Sequence, residues 1–315
     1  MAGFDLLSAI DPEYTSEVVA SLMPETEPLA IRAFHEPERD VIHSTSGVST
    51  FIPFDALMPE SDHDTQIAFT AAPNPLDMKA EKSSWELNGK YSAQGDISRI
   101  DLVSMPNEMD VAGLHEKLIM KVLGQLAMKI DSNFVNGVLK ETTVNLSYDV
   151  QTGGKLPWTD NGAELFTQIE DAMDLSKGVA SDVLILGENV MRLLRRLTIF
   201  KETYTAIISA DNPTPYERFR ARMMEEFGLE VIVMDKNWIK TNVKGDTPAY
   251  AKLYDNIAFL GSKEHIRVKR YTAMDEFVTD EYDAKRQVVE AFGHRYVAFE
   301  RLPERVGGVV FTNFT

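Results

Sequence analysis

The most regular pattern of apolar residues lies between positions 110 and 140. Apolar side chains recur there at steps of three and four residues, the spacing of one face of an α-helix. The series is Val111, Leu114, Leu118, Val122, Leu126, Ile130, Phe134 and Val138, widened by Ile119, Leu123, Ala127, Val135 and Leu139. The pattern predicts a helix roughly 45 Å long, with Asp110 as its N-cap after Pro106. Because the stripe is broader than a coiled-coil seam, we expect this helix to pack against a sheet.

Farther along, helical spacing alternates with short apolar runs. The predicted helices are 164–175, 188–197 and 215–227, and the predicted strands are 183–186, 229–234 and 257–260. Gly187 ends the first of these strands, and Gly228 stops the last helix. Strands separated by helices predict an α/β lobe around a small sheet.

Extended segments flank these elements. In residues 80–105, Trp85 and Leu87 precede Asn88-Gly89, a dipeptide typical of a two-residue hairpin turn. The polar flanks predict that this hairpin projects from the body. From residue 286 onward, apolar runs predict two or three long strands that close the chain and pack with the long helix. The α/β lobe would then be an insertion between helix and strands.

The first 78 residues differ from the rest in charge and in proline content. They hold 14 acidic residues against Arg32 and Arg39, a net charge of −12, and eight of the 14 prolines. Both features predict an extended segment with little core of its own, apart from a short helix at 12–23. Apolar residues recur along it: Phe34, Val41, Ile42, Phe51, Ile52, Phe54, Leu57, Ile67 and Phe69. We expect these residues to find apolar partners on adjoining copies of the chain.

Composition limits the chemistry that the 315 residues can perform. The chain has no cysteine, which excludes disulfides, thiolate metal sites and thiol nucleophiles. Its net charge of −17 argues against a role in reading nucleic acid, since phosphate binding needs clustered Lys and Arg. The one cluster that stands out is the arginine trio (Arg192, Arg195 and Arg196), which we interpret as a solvated helix face. No stretch is apolar enough to cross a bilayer, so we expect a soluble protein.

The motifs that resemble catalytic or binding sites are weak. The strand–Gly187–helix junction places backbone donors where an anion can bind, but the adjacent Asp182 and Glu188 would repel phosphate. Asp62-His63-Asp64 directs its side chains to alternate sides of an extended chain, which suits no single ion. The six histidines lack the paired spacing of zinc hydrolases. We therefore predict no catalytic, cofactor-binding or metal site, and a protein that is not an enzyme. An α/β nucleotide-binding enzyme that uses Gly187 is a less favoured alternative.

This order of elements resembles the major capsid proteins of tailed bacteriophages, which have the Hong Kong-type capsid fold. WELNGKYSAQGDISRIDLVSMPNEMDVAGLHEKL resembles the second half of that family's extended loop and the start of its spine helix. SDVLILGENVMRLLRRL resembles its axial-domain strand–glycine–helix segment, and EEFGLEVIVMD and LYDNIAFLG resemble the strands that follow. RQVVEAFGHRYVAFERLPERVGGVVFTN is similar to its closing strands.

The resemblance implies an α+β fold in five parts. They are an N-terminal arm (1–60), an extended β-hairpin loop with the start of the peripheral domain (61–105), the peripheral domain with its spine helix (106–150), an inserted α/β axial domain (151–265) and the closing strands of the peripheral domain (266–315). Since the chain begins directly with the arm, we expect scaffolding to be a separate protein.

The resemblance also implies a structural virion protein. Pentamers and hexamers would assemble in the host cytoplasm into an icosahedral head shell around phage DNA, which the acidic subunit would touch by weak, non-specific contact. A portal and a possible decoration protein would be further partners, and no membrane is involved. As contacts between subunits we predict Phe51, Phe54, Trp85 and Tyr91, because aromatic residues dominate such interfaces. An encapsulin-like protein nanocompartment, which carries enzyme cargo, is the alternative with the same fold.

Overall fold

The computed structural model describes residues 27–52, 80–87, 89–98, 108–141, 145–176, 181–197, 215–234, 238–240, 247, 249–272, 276–283, 288–302 and 308–315. For residues 108–112, 115, 215, 234, 238–240, 276–283 and 288–289, only the backbone is described. The predicted helix at 12–23, Phe54 and the Asp62-His63-Asp64 motif lie outside the described residues.

The helices are α1 (Leu29–Phe34), α2 (Pro37–Asp40), α3 (Glu108–Phe134, continued by a π-helical turn at Val135–Leu139), α4 (Leu165–Leu175), α5 (Glu188–Leu194) and α6 (Pro215–Phe227). The strands are β1 (Ser46–Phe51), β2 (Glu81–Glu86), β3 (Tyr91–Ser98), β4 (Leu146–Asp149), β5 (Val183–Gly187), β6 (Glu230–Met234), β7 (Trp238–Lys240), β8 (Tyr250–Lys252), β9 (Ala258–Gly261), β10 (Ile266–Arg270), β11 (Glu276–Asp283), β12 (Val288–Arg295), β13 (Val297–Arg301) and β14 (Gly308–Thr312). Within the described ranges, no helix combines the length and apolar content needed to cross a membrane.

The long helix forms where its apolar stripe predicts and packs on a sheet, as expected. Leu118, Val122 and Leu126 of α3 are buried against Ile97 of β3 and Ala291 of β12. These two strands form a three-stranded antiparallel sheet in the order β11-β12-β3. The prediction of an N-cap at Asp110 is wrong, because α3 begins at Glu108 and Asp110 lies within it.

The hairpin predicted at Asn88-Gly89 does not form between the two strands that flank this dipeptide. All eight residues of β3 pair with β12, whereas the six residues of β2 pair with β1. The chain therefore passes from one sheet to another between β2 and β3, where Gly89 has a φ of 147°. Each of these strands instead pairs with a segment distant in sequence. The two-stranded hairpin of this region is β1–β2, which we call the ribbon.

The α/β lobe contains the predicted helices and strands, with ends that differ by a few residues. Its mixed sheet has the order β4-β14-β9-β5-β6. Every residue of β5 is buried, and alternate residues face opposite cores. Leu184 and Leu186 pack in the cluster that includes residues of α4, α5 and α6. Val183 and Ile185 face the cluster that holds α1 and the end of α3. A strand buried on both faces explains the unbroken apolar run of β5.

The last strand lies in a different place from the one we expected. We assigned residues 266–315 to the strands that close the chain beside the long helix, but β14 lies in the five-stranded sheet. It pairs with β4 in parallel and with β9 in antiparallel orientation. Val309 and Phe311 are buried there with Trp158, and Gly308 leaves room for the Phe259 ring, whose Cε2 would be 2.7 Å from an added Cβ. Two strands of the lobe's sheet, β4 and β14, thus come from outside residues 151–265.

Candidate assembly surfaces

The described part of the N-terminal segment packs into the subunit's own core. All apolar residues of α1 are buried, and the Phe34 ring lies 5.4 Å from the ring of Phe134 at the end of α3. Ile42 and Phe51 are buried as well. The expectation of a segment with little core of its own is wrong for these residues, while contacts of the segment with adjoining copies stay a prediction. Our prediction gave more weight to the proline content and charge of the segment than to the helical spacing of apolar residues in Leu29–Phe34.

A buried carboxylate of the long helix caps α1. The residue before this helix, Pro28, makes no side-chain cap. Asp131 supplies it from α3, since its Oδ1 accepts a hydrogen bond from the Ala30 N–H at 3.1 Å. This bond satisfies one of the amide groups that every helix leaves free in its first turn. Burial raises the pKa of the Asp131 carboxyl, although the N–H groups of Leu29 and Ala30 oppose that rise. The start of the described chain is thereby fixed to the long helix.

A second polar contact joins the N-terminal segment to β10 and β13. We call Asp40, Lys269 and Glu300 the arm cluster; their side chains are 0%, 5% and 1% exposed. The Lys269 Nζ lies 3.0 Å from Asp40 Oδ1 and 3.4 Å from Glu300 Oε2. Ser49 of β1 donates a hydrogen bond to Glu300 Oε2 at 3.0 Å. The cluster therefore connects α2 and the ribbon to the body through one buried lysine.

The charge state of the arm cluster follows from its contacts. Burial alone would raise the pKa of the Asp40 carboxyl, but hydrogen bonds from Arg39, the Glu36 N–H and Lys269 outweigh it, so the pKa lies below its ordinary value. Arg39 reaches Asp40 with Nε at 3.1 Å and Nη2 at 2.9 Å. A carboxylate held by two cations stays ionised at neutral pH.

The two faces of the ribbon differ in burial. On the inner face, Phe51 is 8% exposed, and the Trp85 ring lies against Gly47, where an added Cβ would be 2.5 Å from Trp85 Cζ2. On the outer side of the same strand, Val48 is 62% exposed and Ile52 just beyond it is 43% exposed. The ribbon therefore presents apolar side chains to the outside while its aromatic residues face its own subunit.

The predicted inter-subunit residues take the following places. Phe51 and Trp85 lie on the inner face of the ribbon. The Tyr91 ring packs beside the cluster under α3, and its hydroxyl accepts a hydrogen bond from Asn133 Nδ2 at 3.1 Å. These three residues contact their own subunit, and their part in contacts between subunits stays a prediction. Val48, which our sequence analysis missed, is more exposed than these three residues. Its position on the face of the strand opposite to Phe51 was the sequence signal that could have identified it.

The Gly187 junction is built for close packing of the backbone. An added Cβ would lie 2.7 Å from the carbonyl oxygen of Asp255, and still closer to that of Tyr254. The first helical residue, Glu188, forms ion pairs with Lys252 and Arg192. Backbone carbonyl oxygens thus fill the space beside Gly187, and the carboxylate at the first helical position is paired with cations of the same subunit. Among the described residues, no group of three or more His, Asp and Glu side chains is arranged to hold a metal ion.

Comparison with known proteins shows similarity in structure alone. No family model and no curated protein sequence matches the chain. A phage-related protein from Bordetella bronchiseptica RB50 is 12% identical, with a TM-score of 0.60 over 97% of both chains. A virus-like particle from Pyrococcus furiosus is 12% identical, with a TM-score of 0.55 over 94% of this chain and 96% of the other. The capsid structure of the cyanophage P-SCSP1u is 11% identical, with a TM-score of 0.53 over 89% and 86%. At sequence identities this low, the structural likeness shows a shared fold.

Proposed function

On the premise that the chain has the tailed-phage major capsid protein fold, which these structures confirm, we propose that it is the shell-forming subunit of a phage head. Pentamers and hexamers of the chain enclose double-stranded DNA in the virion, after assembly in the host cytoplasm with a separate scaffolding protein, a portal and a possible decoration protein. The supporting observation is the likeness, over most of the chain, to a phage capsid and to a virus-like particle. The role is structural and not enzymatic.

In this proposal the parts of the fold have the roles that the resemblance implied. Residues 1–60 are the arm, 61–105 the extended loop and 106–150 the peripheral segment, with α3 as the spine helix. Residues 151–265 are the axial domain, whose sheet also takes up β4 and β14, and the rest of residues 266–315 closes the peripheral domain. Subunits that tile a shell need extensive contacts that close under symmetry. A ribbon fixed at its base by the arm cluster suits that need, because it can lie on a neighbour without loss of its own position.

The contacts between subunits include Phe51, Phe54, Trp85 and Tyr91 in our proposal, and also the exposed Val48. The whole proposal is tested by negative-stain electron microscopy of the purified chain at high concentration. Closed hollow particles of uniform size are the expected result. A compact monomer under every assembly condition would refute it.

Two variants separate assembly from folding. Val48→Glu places a charge on an exposed strand position and is expected to reduce particle yield at least tenfold, while the midpoint of urea denaturation of the unassembled chain stays unchanged. Phe51→Ala, three residues away on the buried face, is expected to lower that midpoint, since large-to-small changes of buried aromatic residues cost about 3–5 kcal/mol. Full assembly by the Val48→Glu protein would show that the outer face of the ribbon is not an interface.

A cellular nanocompartment is the second candidate, and the likeness to the virus-like particle from Pyrococcus furiosus favours it. The two candidates predict the same particle with different contents. Particles purified from the natural source would contain DNA in the first case and a single enclosed protein in the second. The amount of nuclease-protected DNA, together with gel electrophoresis of the proteins in the particles, decides between the two candidates.

A further inference from the structure

The exposed surface of the long helix carries an inclined row of polar side chains. Lys117, Lys121, Gln125, Lys129 and Asn133 follow one another at steps of four residues, and all five are exposed. We call this row the lysine ridge. Four residues of an α-helix rise about 6 Å and turn about 40° beyond one full turn, so the ridge extends about 24 Å along α3 and winds about 160° around it. Its members are hydrogen-bond donors or cations, and none is a carboxylate.

The charges of the lysine ridge are unusual in a chain of net charge −17. Lys117 and Lys121 stand four residues apart, where like charges destabilise a helix. No acidic residue lies three or four positions from any of the three lysines, and none of them forms an ion pair with another described residue. The described side chains of α3 include two acidic residues. Asp131 is buried, and Glu116 points about 100° around the helix from Lys117.

A fourth cation lies near the end of the ridge, on the neighbouring sheet. Asn133, the last member, donates a hydrogen bond to the hydroxyl of Tyr91 at the start of β3. The preceding residue, Lys90, is exposed, and its Nζ lies 3.5 Å from Nε2 of His294 on β12. Alternate residues of a strand face opposite sides of a sheet, and Tyr91, Ile97 and Ala291 face α3. Lys90 and His294 therefore lie on the other face, and Lys90 is not part of the ridge.

We infer that the lysine ridge binds the phosphate backbone of double-stranded DNA without sequence preference. This inference rests on the proposed function, since it names the subunit surface that contacts the enclosed DNA. A DNA duplex presents about one negative charge per 1.7 Å of its axis. Lysine and glutamine are typical phosphate contacts, and they carry no sequence information. One ridge binds weakly, and a shell that repeats it many times gains affinity through multivalency.

An acidic protein segment is the alternative to DNA as the ligand of the lysine ridge. Residues 1–26 contain five acidic residues and no basic ones, but the acidic residues stand at uneven intervals of two to eight positions. A row of donors at a constant step matches a repeating polyanion better than this segment. The remaining acidic surface of the subunit repels DNA, so the enclosed duplex stays mobile.

The test uses a triple variant, Lys117→Gln, Lys121→Gln and Lys129→Gln. The control changes the arginine trio to glutamine, which removes the same charge from the α/β lobe. Binding of a fluorescent 30-base-pair duplex of random sequence to the unassembled chain is measured between 50 and 200 mM salt. The slope of log K against log salt is expected to fall in magnitude by about 2.7 for the ridge variant, at about 0.9 per lost phosphate contact. The control keeps the wild-type slope.

Particle formation, followed by electron microscopy, distinguishes the failure of this inference from that of the proposed function. If wild-type particles form but the duplex binds the ridge variant as well as the wild type, or if the control loses as much affinity, the ridge is not the DNA contact. If the ridge variant binds DNA normally but no longer assembles, the ridge contacts another copy of the chain, and the inference fails. If no particles form at all, the proposed function fails whatever the slope.

Discussion

Replacement of Lys269 by methionine tests the arm cluster, which holds the ribbon on the body. Methionine keeps much of the side-chain length but removes the charge, so the carboxylates of Asp40 and Glu300 remain buried without the cation between them. Loss of one partner of a buried ion pair costs about 3–5 kcal/mol. Because Arg39 still donates two hydrogen bonds to Asp40, we expect a loss near the lower end, about 3 kcal/mol. Urea denaturation of the unassembled chain at pH 7 measures it.

The matched control is Lys263→Met. Lys263 also pairs with a carboxylate, that of Glu230 at 2.8 Å, but the two side chains are 30% and 37% exposed. An exposed pair contributes about 0–1 kcal/mol, so this variant should remain near the wild type. In a double variant, Glu300→Gln is expected to restore at least about 1 kcal/mol of the loss from Lys269→Met, because it removes one of the unpaired charges. Equal losses for Lys269→Met and Lys263→Met would refute the reasoning.

The pH dependence of the same variant gives an independent check. The pKa of Asp40 lies below its ordinary value of 3.8 in the folded chain. Its ionised form therefore stabilises the fold above that value, and this stabilisation is lost as the pH falls through the folded pKa. Lys269→Met removes one of the hydrogen bonds that depress the pKa. The difference in stability between wild type and variant should accordingly narrow in acid, and a difference that widens would contradict the assignment.

Two further changes test the packing of the N-terminal segment and the Gly187 junction. Asp131→Ala should cost about 1–3 kcal/mol in urea denaturation through the lost cap, whereas Asp131→Asn keeps an acceptor and should stay within about 1 kcal/mol. Because the pKa of Asp131 is raised in the folded chain, the wild type should gain stability relative to Asp131→Asn as the pH falls toward 3.8; the opposite trend would count against a buried carboxylate. Gly187→Ala should cost more than about 2 kcal/mol in thermal denaturation, since its Cβ would overlap the Tyr254 carbonyl, and a stable variant would disprove that close approach.

Much of the local structure was readable in the sequence. The apolar spacing that begins near Val111 predicted the long helix and its packing on a sheet. The strand–Gly187–helix junction and the stop at Gly228, which has a φ of 67°, were also correct. These features depend on periodicity and on backbone conformations that a few neighbouring residues determine. The capsid fold was implied by the resemblance of this order of elements to the major capsid proteins of tailed bacteriophages.

The partners of the strands and of the N-terminal segment were decided by the tertiary structure alone. The dipeptide Asn88-Gly89 is typical of a hairpin turn, yet β3 pairs with β12, about 200 positions away. Lys269 finds Asp40 across 229 positions, and β14 enters the lobe's sheet beside β4. Periodicity records that one side of a segment is buried, but not which distant segment covers it. The pairing of distant segments is decided only when the whole chain folds, because each strand and each buried charge must then have a partner.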